Sequence, residues 1–157
     1  MHWKRLREAY KEFAIGFVPN EMVTLATNQD GNIEKMRKLV DAFAVRMDRW
    51  ALGRFYHTVP ISKRANGIFF VEHVSSNIHA HGMVYFPYGS GLSRLLKASE
   101  IWRNLCPSGS IDVQPVQTVE GIADYVTKEM KWDRYDSDQI ILLADRMSDK
   151  SLYPTTG

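Results

Sequence analysis

Cysteine is almost absent from this chain of 157 residues, where Cys106 stands alone. One thiol closes no internal disulfide, and without a CxxC or HxxxH pair the ligands of a closed tetrahedral zinc site are missing as well. Cys106 is followed by Pro107 and has no basic residue beside it in sequence, so it reads as structural rather than as an activated nucleophile. Long apolar runs are lacking too: none approaches the roughly 20 residues of a bilayer-spanning helix. The first residues, Met1-His2-Trp3-Lys4-Arg5-Leu6-Arg7, have no apolar core of a secretion signal. An intracellular protein without a membrane anchor is expected. There is no internal repeat, no low-complexity tract and no GxxxxGK[ST] loop, which argues against solenoids and phosphate-loop nucleotide hydrolases.

What is present is ordinary for a single folded unit: 45% hydrophobic and 24% charged residues, enough to build one core. Charge is uneven along the chain. Residues 1–119 carry 15 Lys and Arg against 10 Asp and Glu, whereas residues 120–157 carry 5 against 8. A basic first part permits nucleic-acid binding without requiring it.

In chain order, Lys4 to Phe13 reads as a short amphipathic helix with a basic outer side that can flank nucleic acid. Met22 to Asn28 is a β-type run closed by the turn Gln29-Asp30-Gly31-Asn32. Asn32 caps a long helix with Met36, Val40, Phe43, Met47 and Trp50 on its inner stripe, ending at Gly53. Tyr56 to Val59 suggests a short strand, and Ile61 to Asn66 a basic loop. Gly67 to Val74 and Asn77 to Phe86 form a hairpin around Ser75-Ser76. A helix follows Gly91, with Leu92, Leu95, Leu96, Trp102 and Leu105 on its buried side. Ser110 to Gln114 is a strand that Pro115 ends or marks as an edge, and Thr118 caps a third helix reaching about Met130. Strand, helix, hairpin, helix, strand, helix is the pattern of an α+β ferredoxin-like, split-βαβ fold with helices packed mainly on one face. The unit spans residues 1–131. Residues 132–157 read as a linker and a short docking helix at Ile140 to Ala144.

The hairpin carries the chemistry. Strand alternation puts His79 and His81 on one face, and a two-residue turn sets Glu72 opposite His79 and diagonal to His81. One carboxylate and two imidazoles bind a divalent ion and leave positions open for water or a substrate oxygen. Two solvated histidines on an amphipathic strand fit the bare HxH equally well. Lys63 and Arg64 are candidate phosphate contacts, a solvated basic loop being the plainer alternative. On the third helix Tyr125, Lys128 and Glu129 share an arc separate from the Ile122 and Val126 stripe. A tyrosine and an ammonium displayed together can attack a phosphodiester and stabilise the charge that develops, although a boundary tyrosine on an amphipathic helix is the common meaning of YxxK.

Taken together, Val23-Thr24-Leu25-Ala26-Thr27-Asn28, Glu72 with His79-Ala80-His81-Gly82, and Tyr125-Val126-Thr127-Lys128 resemble the three motifs of HUH-superfamily endonucleases, in particular the single-tyrosine Rep proteins of rolling-circle replication. The resemblance spans residues about 20 to 131. Ala80 departs from the bulkier apolar residue common there. The resemblance implies a central antiparallel sheet, a Mg or Mn ion on Glu72, His79 and His81, and Tyr125 as the nucleophile toward single-stranded DNA or an origin hairpin. It further implies a 5′-phosphotyrosyl link, with Lys128 positioning or neutralising it. Thr24 and Asn28 would touch DNA, and Glu129 would approach the metal. A helicase domain can follow such a unit, a monomer is the simpler state, and the setting is a bacterial cytoplasm or, for a viral or eukaryotic protein, a nucleus. Two alternatives stand beside this: a single-tyrosine transposase of the same superfamily, and a non-catalytic RNA-binding module on a ferredoxin-like sheet, for which Tyr85 is the one stacking candidate.

Overall fold

The structure, a computed structural model, describes residues 2–72, 77–118, 120, 121, 124 and 137–148. Among them are three α-helices, α1 (His2–Ile15), α2 (Ile33–Leu52) and α3 (Gly91–Leu105), and five strands, β1 (Glu21–Ala26), β2 (Asn66–Glu72), β3 (His79–Tyr85), β4 (Ser110–Pro115) and β5 (Ile140–Leu142). The strands form one sheet in the order β4-β1-β3-β2-β5, and every pairing is antiparallel. The first four strands with α2 and α3 make the α+β ferredoxin-like arrangement, and β5 extends it at the β2 edge.

Alternation along each strand divides the side chains between two layers. Val23, Leu25, Phe69, Val71, Ala80 and Val84 face α2 and α3, where they meet Met36, Val40, Phe43, Met47, Ala98, Ile101 and Trp102 in the main core. Met22, Ile68, Phe70 and Met83 point to the opposite face, where Tyr10, Ala14, Ile15 and Phe17 from α1 and its exit cover them. Thus α1 closes part of the second face. Among the described residues, the apolar cluster on that face does not extend to His79, His81 and Thr24.

Local chemistry fixes the element ends. The Asn32 side chain accepts from the Lys35 backbone N–H at 2.8 Å, capping α2, and Gly53 ends it with φ of 87°, a backbone conformation that side chains disfavour. Ser90 and Ser93 form a reciprocal capping box at the start of α3. In β3, Gly82 sits beneath the Phe69 ring of the paired strand, and a Cβ there would lie 2.3 Å from a ring carbon. Only glycine lets that ring lie flat on the helical face of the sheet.

Several expectations are corrected. Tyr56–Thr58 is a turn of 3-10 helix, not a strand, and Tyr56 is buried. Ile140–Leu142 is a strand, not a helix, and Leu143–Ser148 is 3-10 helix. A five-residue run that is apolar at every position, Ile140 to Ala144, has no periodicity with which to choose, and here the edge of β2 supplies the partner for its first three residues. On α3, Leu92, Leu95 and Leu96 are exposed. The inward position one turn before Ala98 belongs to Arg94, whose Nη2 reaches the buried Glu21 Oε1 at 2.7 Å. Trp50, expected on the inner stripe of α2, lies at its exposed rim, edge-on to Tyr88. β4 is an edge strand, as Pro115 suggested.

Arg64 is also corrected. It is buried, and its Nε donates to Asp48 Oδ2 at 3.2 Å. Asp48 also receives Arg146 Nη2 at 2.8 Å, the Ala65 N–H at 2.8 Å and the Tyr88 hydroxyl at 2.9 Å. Burial, then the Asp48 charge, push the Tyr88 hydroxyl far above its usual range, so it remains a donor. This cluster ties α2, the start of β2 and the 3-10 segment after β5 into one body.

Candidate metal centre

The β2–β3 ladder pairs Glu72 with His79 and Phe70 with His81, as a two-residue connection requires, although residues 73–76 lie outside the described residues. His79 Nε2 is 3.5 Å and His81 Nε2 is 3.3 Å from the same oxygen, Glu72 Oε2. One ligand atom from each of the three residues lies within 4.8 Å of the others, a spacing that one metal ion can bridge. The two rings stand nearly perpendicular, their centres 4.9 Å apart, so both edges turn toward the carboxylate.

Both imidazoles are oriented from behind. His79 Nδ1 lies 3.1 Å from the Asn77 carbonyl oxygen, which can only accept, so Nδ1 carries a proton; Nε2 then donates to Glu72 when the ring is charged and offers its lone pair to a cation when the ring is neutral. His81 Nδ1 lies 3.1 Å from the Thr24 hydroxyl, and Thr24 is the residue opposite His81 in β1. Holding the distal nitrogen of a ligating histidine is how proteins fix its ring and tautomer.

The donor set fits a divalent cation. Glu72 is buried, and its Oε1 has no hydrogen-bond partner among the described residues. An orphaned carboxylate oxygen beside two inward-facing imidazole nitrogens is a costly arrangement unless a cation joins it. Burial alone would raise the Glu72 carboxyl, but hydrogen bonds and charge from His79 and His81 outweigh it and hold the group at about 2. Reciprocally, the hydrogen bond to Glu72 raises His79 above its usual value against the opposing effect of burial. Two imidazoles and one carboxylate suit a first-row divalent ion, and His79 is only half-buried.

The remaining candidates are dispersed. Thr24 is engaged with His81. Asn28, with φ of 57°, donates to the Ser108 carbonyl at 3.0 Å and so binds the β1–α2 turn to the loop before β4. Lys63 is exposed but precedes the Asn66 end of β2, about 20 Å along the strand from Glu72. Arg64 is consumed by Asp48. Tyr125, Lys128 and Glu129 lie outside the described residues. Asp124, which is helical and exposed, is ion-paired with Lys11, and its carbonyl accepts from Arg7 Nη2 at 3.4 Å. The residue before Tyr125 is therefore attached to α1, the helix lying on the sheet face that bears the histidines. The roles of Thr24 and Asn77 in aiming the imidazoles were not visible in sequence, because they depend on the β1–β3 register and on the backbone just before β3.

No family model, no curated protein and no solved structure matches this chain. Among the described residues, no helix is long and apolar enough to cross a membrane.

Proposed function

We propose that this chain is a metal-dependent endonuclease that nicks and rejoins single-stranded DNA through a tyrosyl intermediate, in the manner of the HUH single-tyrosine Rep proteins. The observation that carries this is the convergence of Glu72, His79 and His81 on one face of an antiparallel ferredoxin-like sheet. Further support comes from Asp124, held against α1 on that same face one residue before Tyr125.

Glu72, His79 and His81 would hold a Mg or Mn ion, which supplies Lewis-acid polarisation of a phosphodiester oxygen. Thr24 and Asn77 keep the two Nε2 lone pairs turned inward. The Tyr125 oxygen attacks phosphorus, the bond to the 3′ oxygen breaks, and the phenolic proton ends on the released 3′-hydroxyl. Lys128 neutralises the phosphotyrosine charge. The new ester conserves the energy of the broken one, so attack by a 3′-hydroxyl restores the strand without ATP. Initiation of rolling-circle replication is the role that uses both halves of this cycle.

The test is incubation of the chain with pooled single-stranded oligonucleotides and Mn, followed by denaturing electrophoresis. A slower-migrating covalent adduct and a shortened oligonucleotide are expected, and both should vanish with EDTA or in His81→Ala. Cleavage that persists in EDTA, or ATP hydrolysis without any nicking, counts against this function.

A further inference from the structure

Behind the metal centre, on the helical side of the sheet, lies a cavity of about 360 Å³. Its walls are Met36 and Leu39 from α2, Ile78 before β3, and Leu105 and Cys106 at the end of α3, while Gln29, Asn32, Lys35 and Ser108 stand among the polar residues that line it. It adjoins the site through the chain itself. Ile78 immediately precedes the ligand His79, and Thr27 follows Ala26, the residue paired with His79 across the sheet. The cavity and the metal cluster therefore share one end of the β1–β3 ladder, one on each side of it.

The lining selects against an ion. Asp30 and Lys35 both line the cavity and offset each other, so it offers no net charge to a phosphate. The Asn32 side chain takes the Lys35 N–H and Glu34 places a carboxylate in the first turn of α2, both of which disfavour an anion there. What remains is an apolar slot with polarisable sulfur at Met36 and Cys106 and side-chain amides and a hydroxyl for a polar edge. That combination suits a flat neutral heteroaromatic ring with hydrogen-bonding edges. A nucleobase has these properties, and proteins that hold an unstacked base do so in apolar pockets with polar edges.

We infer that this cavity receives one base of the substrate strand, a nucleotide adjacent to the phosphate at the metal centre, and so gives the enzyme its sequence preference. This rests on the endonuclease reading for its choice of ligand. The choice of an adjacent nucleotide follows from sequence adjacency in the protein, Ile78 on the cavity wall directly preceding His79 in the metal cluster.

The test is photocrosslinking in EDTA, where no cleavage occurs. Oligothymidylates carrying a single 4-thiothymine at each position in turn are irradiated with the full chain and the crosslinked residues mapped by mass spectrometry. Crosslinks to Met36, Leu39, Leu105 or Cys106 from one or two positions of the oligonucleotide are expected. Leu39→Trp, which fills the slot, and Gln29→Trp, which obstructs its rim from an exposed position, should each abolish those crosslinks and weaken binding about tenfold, the loss of one base contact. Crosslinks confined to other surfaces, or crosslinks and affinity unchanged in both variants, overturn the assignment. Pocket crosslinks from a protein that forms no adduct with Mn retain the pocket and remove the nuclease. Adduct formation with crosslinks only elsewhere does the reverse. Absence of any single-strand binding at low salt removes both.

Discussion

Thr24 and His81 face each other across the β1–β3 ladder, and the threonine hydroxyl meets His81 Nδ1 at 3.1 Å. That contact holds the His81 ring with Nε2 turned toward Glu72. Thr24→Val keeps the shape of the side chain and removes the hydroxyl. It should lower Mn affinity about tenfold or more, the usual cost of losing such an orienting partner, while Thr24→Ser retains most of it. Isothermal titration with Mn measures this directly. Equal affinity in Thr24→Val and the parent would show that the ring is held by other means.

The coupled shifts of Glu72 and His79 set a pH signature for the metal-free protein. Glu72 is depressed from 4.5 to about 2, so its stabilising contribution is present above pH 4.5 and is lost as pH falls toward 2. His79 is raised from 6.5, so its contribution is complete below pH 6.5 and disappears as pH climbs through the raised value. In EDTA the two overlap between pH 4.5 and 6.5, where the cluster contributes most to stability. A metal ion needs the neutral imidazole, so the added stabilisation by Mn should grow as pH rises out of that window. Thermal melts with and without Mn across pH 4 to 9 check both signs, and a Mn effect that shrinks with rising pH contradicts the cluster as ligand set.

Much of this centre was legible from sequence because a hairpin is local. A two-residue connection and strand alternation are sufficient to set Glu72 against His79 and near His81, and the observed ladder has that register. What escaped depends on partners distant in sequence. Arg64 looks like a loop cation until Asp48, on the core side of α2, is seen to take it. Arg94 looks outward-facing until Glu21 on β1 meets it, and the exposed positions then fall to Leu92 and Leu96. β5 was missed for the same reason: Ile140–Leu142 becomes a strand through the free edge of β2, not through any pattern of its own.

The correction at Arg64 separates two kinds of basic residue experimentally. Arg64→Ala leaves Asp48 buried with one guanidinium fewer and should cost about 3 kcal/mol or more of stability, read by urea denaturation. Arg5 and Lys63 are exposed, and alanine at either should leave stability unchanged. If either side chain contacts the DNA backbone, its removal lowers the slope of log affinity against log salt by about 0.7, the value for one phosphate contact on a single strand. Such a loss in Arg64→Ala, without any loss of stability, would return Arg64 to the DNA surface.

The proposed nucleophile makes the sharpest demand, because Tyr10, Tyr56, Tyr85 and Tyr88 are competitors within the described structure; Tyr10 is packed edge-on against Phe70 in the apolar cluster beneath α1. Tyr56 is buried in the core and stacks edge-on with His57, which removes it from any incoming phosphate. Tyr88 donates its hydroxyl to Asp48 and is held protonated, which disqualifies it as an attacking oxygen. Tyr85 is exposed and shares strand parity with His79 and His81, but it lies six residues beyond His79, about 20 Å along β3. Tyr125 follows Asp124, which is tied to α1 on the histidine face, and has Lys128 three residues on. Tyr125→Phe deletes one oxygen and should abolish both the adduct and strand rejoining while preserving Mn affinity and DNA affinity. Lys128→Ala should slow adduct formation without eliminating it, because a bound divalent ion supplies most of the charge stabilisation. Peptide mapping of the trapped adduct decides among the five. A nucleotide found on Tyr85, or an adduct that survives Tyr125→Phe, assigns the chemistry to a different tyrosine.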